Sequence, residues 1–198
     1  MSVQVDFIYD FGSPNAYLAH RLVKGIEERT GATFNYIPCL LGGIFKATGN
    51  RSPFLMFQNV KGKLGYDRIE FERFIRRHKL SEFLMNPHFP VNTLLMMRAA
   101  VAAEIDGFQD NYIAAGMAAM WEKGLKMDDP DIFVSAMNDA GVDGQTLLAR
   151  ANEDSVKEHL KNNTNAAVEQ GVFGIPTFFV EEEMFFGKDR LEQLEREL

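Results

Sequence analysis

A hydroxyl group stands where the chain turns from a predicted strand into a predicted helix. The apolar alternation from Val3 to Tyr9 predicts a buried strand, and Ser13-Pro14 follows with the residue types of a helix N-cap and a first helical position. A helix N-terminus offers free backbone N–H groups and the positive end of the helix dipole, so it attracts anions. Ser13 is therefore either only a cap or a group that holds and ionises a thiol brought in by a ligand.

Two other short motifs could bind parts of a peptide-like ligand. In Gly174-Ile175-Pro176-Thr177, a cis bond before Pro176 would expose the backbone N–H and C=O of Ile175, whereas an ordinary proline would only open a strand. In Gly187-Lys188-Asp189, the Asp189 carboxylate could accept an ammonium group while the Lys188 N–H meets a carboxylate. The alternative is a capping box formed by Asp189 and Glu192.

The composition excludes several classes of partner. The 198 residues are 46% hydrophobic and 25% charged, which is typical of one globular chain with a real core. With 21 basic and 28 acidic residues the net charge is −7, which argues against nucleic acid or an anionic membrane as the main partner. The single cysteine, Cys39, cannot form an internal disulfide, and we see no secretory signal or membrane span, so we expect a cytoplasmic protein. The four histidines lack metal-ligand spacing, and we predict no metal.

The order of the predicted elements indicates the fold class. The first strand and helix, which stops at Gly31, are followed by a second strand at 32–41, most simply parallel to the first. Residues 42–59 read as a loop, helical periodicity then continues to about 170, and strands at 177–180 and 184–186 precede a last helix near Asp189. This order is compatible with several α/β folds and favours a thioredoxin-like fold with a large all-helical insertion. We assign 1–45 and 166–198 to a discontinuous thioredoxin-like domain and 46–165 to the insertion.

Redox chemistry at the first helix is excluded by the residues present. Thioredoxin-type proteins carry Cys-x-x-Cys at this corner, where the helix N-terminus lowers a thiol pKa. Here the two positions are Ser13 and Ala16, so thiol–disulfide exchange cannot occur there. The lone Cys39 is predicted to be a small buried residue rather than a nucleophile.

Four segments in order along the chain resemble those of a known family, the 2-hydroxychromene-2-carboxylate isomerases, which are DsbA-like relatives of the kappa-class glutathione transferases. The resemblance spans essentially the whole chain. The segments are Asp10-Phe11-Gly12-Ser13-Pro14, the loop from Leu41 to Asn50, the run from Gly171 to Thr177, and Phe185-Phe186-Gly187-Lys188-Asp189-Arg190-Leu191.

The resemblance implies a homodimer that binds glutathione and a small aromatic substrate, with roles for individual residues. Ser13 matches the serine that hydrogen-bonds the glutathione sulfur. The residues that match the rest of the glutathione site are Asn50 near the thiol, Lys63 at the glycyl carboxylate, Ile175 and Pro176 at the cysteinyl backbone, and Gly187, Lys188 and Asp189 at the γ-glutamyl group. Asn92 matches an asparagine that faces the aromatic substrate, and Phe89, Phe45 and Trp121 are candidates for its pocket or plain core residues. Asn15 and Ala16 depart from the family, which often has an aromatic residue and a serine there.

The activity implied by the resemblance is the conversion of a 2-hydroxychromene-2-carboxylate to a trans-benzylidenepyruvate through transient addition of the glutathione thiolate. Two alternatives stay open. The chain is a kappa-like transferase that conjugates electrophiles at the same thiolate site, or it is a non-catalytic module that binds glutathione or a peptide.

Overall fold

A four-stranded sheet forms the centre of the molecule in a computed structural model that describes residues 2–198. The strand order is β2-β1-β3-β4, in which β1 and β2 are parallel and the other two pairs are antiparallel. The central strand β1 is buried along most of its length because helices cover the sheet, and its apolar residues fill the core. The strands are β1 (Gln4–Tyr9), β2 (Thr33–Pro38), β3 (Thr177–Val180) and β4 (Glu183–Phe186).

The helix α1 (Pro14–Thr30) begins and ends where the cap residues predict. The Ser13 side chain accepts a hydrogen bond from the Ala16 N–H, and Pro14 occupies the first helical position. Gly31 ends the helix in the left-handed region, with φ 76°, and its N–H bonds the Glu27 carbonyl. The predicted strand–helix–strand unit with parallel strands is confirmed.

The predicted helical region between β2 and β3 is confirmed, but it starts at Leu41, well before the predicted start after residue 59. Within residues 2–198, none of its helices combines the length and apolarity needed to cross a bilayer. The proposed division at 45/46 and 165/166 stays a prediction, and both points lie inside helices. The helices are α2 (Leu41–Thr48), α3 (Pro53–Phe57), α4 (Lys63–His78), α5 (Leu94–Ile105), α6 (Gln109–Trp121), α7 (Pro130–Asp139), α8 (Gly144–Arg150), α9 (Asp154–Glu169) and, after a 3-10 turn at Lys188–Arg190, α10 (Leu191–Glu195).

The loop predicted at 42–59 is wrong, because α2 and α3 lie there. The Gly42-Gly43 pair suggested a turn, but Gly43 lies in α2 where the helix passes close to α9. A Cβ at Gly43 would meet the Thr164 side chain at 3.1 Å. The glycine is therefore explained by helix packing rather than by a loop.

One continuous core supports the β1–α1 turn. The Trp121 side chain at the end of α6 is fully buried, and its Nε1 donates a hydrogen bond to the Phe11 carbonyl at 2.8 Å. Gly116 of α6 lies directly against the Phe11 ring, where a Cβ would come within 2.6 Å of a ring carbon. Phe11 precedes Ser13 by two residues, so the helical region packs directly beneath the turn that carries the candidate serine. Trp121 is thus a core residue.

Candidate active site

The Ser13 side chain lies at the N-terminus of α1, called the mouth of α1 below, and contacts the loop before β3. The residue is 4% exposed, and its hydroxyl donates a hydrogen bond to the Ile175 carbonyl at 3.1 Å while its oxygen accepts from the Ala16 N–H at 3.2 Å. The Ile175–Pro176 peptide bond is cis, which is one of the two alternatives that the sequence left open. The serine is therefore more than a local cap, because its hydroxyl proton reaches a residue 162 positions away in the chain.

Two backbone N–H groups beside this serine are free to bind a ligand. Within residues 2–198, neither the Asn15 N–H in the first turn of α1 nor the Ile175 N–H makes a hydrogen bond. A helix N-terminus normally leaves such groups for capping atoms, water or ligands. The Asn15 N–H belongs to the first turn of α1, where anions bind well, and the Ile175 N–H belongs to the residue whose carbonyl Ser13 contacts.

Asn50 and Gly187 converge on the same loop from two other elements. The Asn50 side chain, just after α2, donates from Nδ2 to the Phe173 carbonyl at 2.7 Å. The Gly187 N–H donates to the Pro176 carbonyl at 2.9 Å, and Gly187 has φ 88°, a conformation that favours glycine. The structure thus brings Ser13, Asn50, Ile175, Pro176 and Gly187 together around 173–176.

The two predicted lysines hold their ammonium groups elsewhere. Lys63, the first residue of α4, pairs with Asp67 and lies 4.9 Å from the centre of the Phe57 ring. The Lys188 side chain is only 7% exposed; its Nζ lies 2.8 Å from the Asp189 carboxylate and 4.6 Å from the centre of the Phe74 ring. What Lys188 leaves for a ligand is its backbone N–H, and the Asp189 side chain is 66% exposed.

The capping box predicted from Asp189 and Glu192 is wrong. Asp189 lies inside the 3-10 turn rather than at an N-cap position, and α10 starts at Leu191, after Arg190, without a side-chain cap. The carboxylate pairs instead with Lys188. The i, i+3 spacing of the two acidic residues matches the motif, but the helical turn begins earlier than the motif requires, because Gly187 caps the 3-10 turn.

A cleft of about 390 Å³ lies between α1, α4 and α10. Its positive side chains each pair with carboxylates in the part of the chain that the structure describes. The pairs are Arg21 with Glu122 and Glu82, Arg29 with Glu195, Arg77 with Glu192, and Lys188 with Asp189.

The residues predicted to face an aromatic substrate are only partly assembled. Phe89 is 40% exposed, with its ring centre 6.0 Å from that of Trp121. Asn92, before α5, uses its side-chain oxygen to accept from the Leu94 N–H at 3.0 Å, which leaves its amide N–H groups exposed. Phe45 is half-buried in α2, and in residues 2–198 its ring stacks on neither Phe89 nor Trp121.

Sequence reasoning missed two residues beneath the site, Asp10 and Thr93. Asp10 follows β1, is 1% exposed, and accepts a hydrogen bond from the Thr93 hydroxyl at 2.7 Å. Burial raises the pKa of its carboxyl above the ordinary value, against the lowering effect of hydrogen bonds from Gly12, Leu41 and Thr93. A carboxylate that ends a strongly apolar strand was the available signal.

Cys39 is excluded as a nucleophile. The side chain is fully buried at the end of β2, and burial, with smaller effects from Asp10 and Glu104, raises the pKa of its thiol to about 12. The group therefore stays a protonated thiol at neutral pH. Any thiolate at this site has to come from a ligand.

Comparisons with known proteins agree with this geometry. A family model described as a DSBA-like thioredoxin domain matches residues 4–198. A 2-hydroxychromene-2-carboxylate isomerase from Pseudomonas putida is 28% identical, over 96% of this chain and 92% of that protein. Human glutathione S-transferase kappa 1 is 26% identical, over 96% of this chain and 88% of that protein.

A solved structure shows the same architecture over the whole chain. The structure of a 2-hydroxychromene-2-carboxylate isomerase superposes with a TM-score of 0.84 at 27% identity, covering 98% of this chain and 93% of that one. The predicted thioredoxin-like fold with a helical insertion and the resemblance to these isomerases are both confirmed. The chain belongs to the DsbA-like thioredoxin domain family.

Proposed function

We propose that this protein is a glutathione-dependent isomerase of 2-hydroxychromene-2-carboxylate-type aromatic substrates. One observation carries the proposal: the buried Ser13 hydroxyl lies at the mouth of α1 and contacts Ile175 beside the cis-proline, in a site without cysteine. The near full-length similarity to 2-hydroxychromene-2-carboxylate isomerases supports the reaction class.

The donor set suits glutathione, which is a tripeptide with a free thiol. The Ile175 N–H has no partner within residues 2–198 and can pair with a ligand peptide group, and the Ser13 hydroxyl lies at the N-cap of α1. We assign the sulfur to Ser13 and the cysteinyl backbone to Ile175 and Pro176. The remaining assignments are Asn50 near the thiol, Lys63 for the glycyl carboxylate, and Gly187, the Lys188 N–H and Asp189 for the γ-glutamyl group.

The role of Ser13 is to make an anion more stable than its conjugate acid. Free thiols have a pKa near 8.5, so ionisation near neutral pH requires about 2 kcal/mol of preferential stabilisation. A hydrogen bond to a charged group contributes about 1.5–3 kcal/mol, and the N-terminus of α1 adds to it. The Ser13 proton that Ile175 accepts in this structure is the one available for an anionic sulfur.

When bound, glutathione supplies a thiolate that adds reversibly to a conjugated double bond and so permits rotation about it. This chain then has to orient the aromatic acid near Ser13. We assign that task to Asn92, whose amide N–H groups are exposed, and to the rings of Phe89 and Phe45.

A second candidate function is conjugation of glutathione to electrophiles. The similarity to human glutathione S-transferase kappa 1 favours it, and it uses the same serine and the same helix mouth. The two functions differ in outcome, because the isomerase regenerates free glutathione and the transferase consumes it.

The deciding experiment combines binding with turnover. Calorimetric titration with glutathione should show one site per chain, and absorbance near 240 nm should report a thiolate at neutral pH. A 2-hydroxychromene-2-carboxylate should then isomerise only when glutathione is present, at constant glutathione concentration. S-methylglutathione is the matched control, because it should bind without supporting turnover.

Each other outcome contradicts part of the proposal. Consumption of glutathione with an aryl halide, and no isomerisation, would establish the transferase. Binding without turnover of either substrate would reduce the protein to a glutathione-binding module. Absence of binding would remove the cofactor assignment.

We also propose a cytoplasmic homodimer. Reduced glutathione is abundant in the cytoplasm, where a buried free thiol such as Cys39 also persists. The segment from α3 into α4 exposes several large apolar side chains, including Phe54 at 64% and Tyr66 at 56%. Light scattering of the purified protein should give twice the 22.4 kDa mass of the chain.

A further inference from the structure

Asp10 is a buried carboxyl group that the proposed chemistry does not use. Its Oδ1 accepts hydrogen bonds from the Gly12 N–H at 2.8 Å and the Thr93 hydroxyl at 2.7 Å, and its Oδ2 accepts from the Leu41 N–H at 2.7 Å. These donors belong to three separate parts of the fold: the turn before α1, the first residue of α2 and the residue before α5. A buried carboxylate is costly unless its hydrogen bonds satisfy it, and both oxygens are satisfied here.

Thr93 makes an unusual use of its hydroxyl. The residue occupies the N-cap position of α5, yet its side chain does not bond the helix and instead reaches Asp10, which is 83 positions earlier in the chain. The neighbouring Asn92 takes over the cap, since its side-chain oxygen accepts from the Leu94 N–H. The hydroxyl of Thr93 is thus committed to a long-range contact at the expense of a local one.

The same carboxylate residue holds the turn that carries Ser13. The Ser13 N–H donates to the Asp10 main-chain carbonyl at 3.1 Å, and the Gly12 N–H donates to its side chain. A Cβ at Gly12 would lie 3.3 Å from both Asp10 Oδ1 and Thr93 Cγ2, so the turn packs tightly against Thr93. A short series of contacts, through Asp10 and Thr93, therefore connects Ser13 to Asn92.

We propose that Asp10 is a positioning residue that, through Thr93, fixes the start of α5 and its Asn92 relative to the Ser13 hydroxyl. This inference rests on the proposed function, in which Ser13 serves the thiol and Asn92 serves the aromatic substrate. In this assignment Asp10 contacts neither the thiol nor the aromatic substrate. Its role is to fix the distance between the Ser13 hydroxyl, which binds the thiol, and Asn92, which binds the aromatic substrate.

The test replaces Thr93 by valine, which keeps the shape and removes the donor. Thr164→Val is the matched control: both threonines are 7% exposed, and the Thr164 hydroxyl accepts from the Leu40 N–H at the same end of α2 without contacting Asp10. Thr93→Ser restores a hydroxyl and serves as the rescue. Asp10→Asn is the harsher companion, because an amide cannot accept from all three donors and places N–H groups against one of them.

We expect Thr93→Val to lower kcat on the chromene carboxylate by about 10- to 100-fold, since small displacements of reacting groups cost this much. The thiol pKa of bound glutathione, read from absorbance near 240 nm, should not move, because Ser13 and the mouth of α1 are intact. Thr93→Ser and Thr164→Val should both stay close to the wild-type kcat.

Two results would overturn the role of Asp10. One is a Thr93→Val variant as active as Thr164→Val. The other is a shift of the thiol pKa as large as the one produced by Ser13→Ala, because Thr93 would then act on the thiolate rather than on position.

Failure of the proposed function can be told apart from failure of the role of Asp10, because in the first case the wild-type protein itself would show neither thiolate nor isomerisation. Amide hydrogen exchange still decides the link in that case. Thr93→Val should speed exchange at Gly12 and Leu41 together, whereas Thr164→Val should affect only the segment at Leu40. Unchanged exchange at Gly12 and Leu41 would refute the link.

Discussion

Two helices of this protein start with Ser-Pro, and they differ in whether the serine hydroxyl makes a long-range contact. At α1, Ser13 has φ −98° and ψ 111°, accepts from the Ala16 N–H, is buried, and donates its proton to Ile175. At α3, Ser52 has φ −60° and ψ 142° and accepts from the Leu55 N–H at 3.4 Å, a long and exposed bond.

The difference lies outside the local motif. The α1 serine has a partner brought in by the sheet, because β1 and β3 are neighbours and the turn before β3 therefore faces the mouth of α1. The α3 serine caps a helix of five residues with no buried side chain. Ser-Pro caps both α1 and α3. The difference at α1 is the contact between Ser13 and Ile175, which places a buried hydroxyl next to the loop before β3.

Ser13→Ala should have the largest effect. Loss of a hydrogen bond to a charged sulfur costs about 1.5–3 kcal/mol, which corresponds to a decrease in kcat/KM of about 10- to 150-fold. The pKa of bound glutathione should rise at the same time. Steady-state kinetics and absorbance near 240 nm measure the two effects.

Folding provides the control for Ser13→Ala. The variant should lose about 1–2 kcal/mol of stability through its cap and its buried hydrogen bond, yet remain folded by circular dichroism. A folded Ser13→Ala protein with wild-type turnover would remove the chemical distinction between the two Ser-Pro starts.

The free energy of unfolding should depend on the protonation of His20 in α1, whereas the activity should depend on the ionisation of the thiol bound beside Ser13. The partly buried His20, about two turns into α1, lies 2.7 Å from the Tyr36 hydroxyl, and burial, with a smaller effect from Arg21, lowers its pKa to about 4. Because the unfolded value is near 6.5, the unfolded state binds the proton first, and the contribution of His20 to stability is lost as pH falls from about 6.5 to about 4. The loss amounts to about 3 kcal/mol.

Urea unfolding at pH 7 and pH 5 measures this effect. His20→Gln should flatten the acid dependence, whereas His159→Gln, which changes a side chain that is 40% exposed, should keep the wild-type dependence. If the free energy of unfolding changed equally between pH 7 and pH 5 in all three proteins, groups other than His20 would cause the acid sensitivity.

Asn50→Ala tests a tether of the loop that Ser13 contacts. The Asn50 amide holds the Phe173 carbonyl, and loss of one such bond corresponds to about a 2- to 10-fold weaker affinity for glutathione. Asn152→Ala is a matched control, since the Asn152 amide makes a bond of similar length, 2.9 Å, to the Leu148 carbonyl on an exposed helix end. Calorimetry should separate the two variants, and equal affinities would show that the tether is dispensable.

The sequence allowed good prediction of what depends on neighbours in the chain. Ser13-Pro14 and Gly31 were correctly interpreted as helix limits, because caps act within one turn. The element order then indicated the fold. The hydroxyl at the mouth of α1 was likewise visible, since it needs only a strand, a turn and a helix.

What could not be predicted depends on contacts between distant residues. The Asp10–Thr93 bond has no signature in spacing, and Gly43 suggested a loop because its neighbour Thr164 is far away in the chain. The direction of the Lys188 side chain, toward Phe74 of α4, is equally a product of packing. Such contacts arise only once the helices are placed on the sheet.

Ser52→Ala should have the smallest effect, and it completes the comparison of the two serines. The cap bond of α3 is long and exposed, so its loss should cost less than about 1 kcal/mol of stability. Turnover and glutathione affinity should remain at wild-type values, because the Ser52 hydroxyl donates to no group within residues 2–198. Parallel assays of Ser52→Ala and Ser13→Ala measure both quantities. A loss of activity in Ser52→Ala as large as that in Ser13→Ala would mean that a serine cap is required at both helix starts, and that contact with Ile175 is not what makes Ser13 a functional residue.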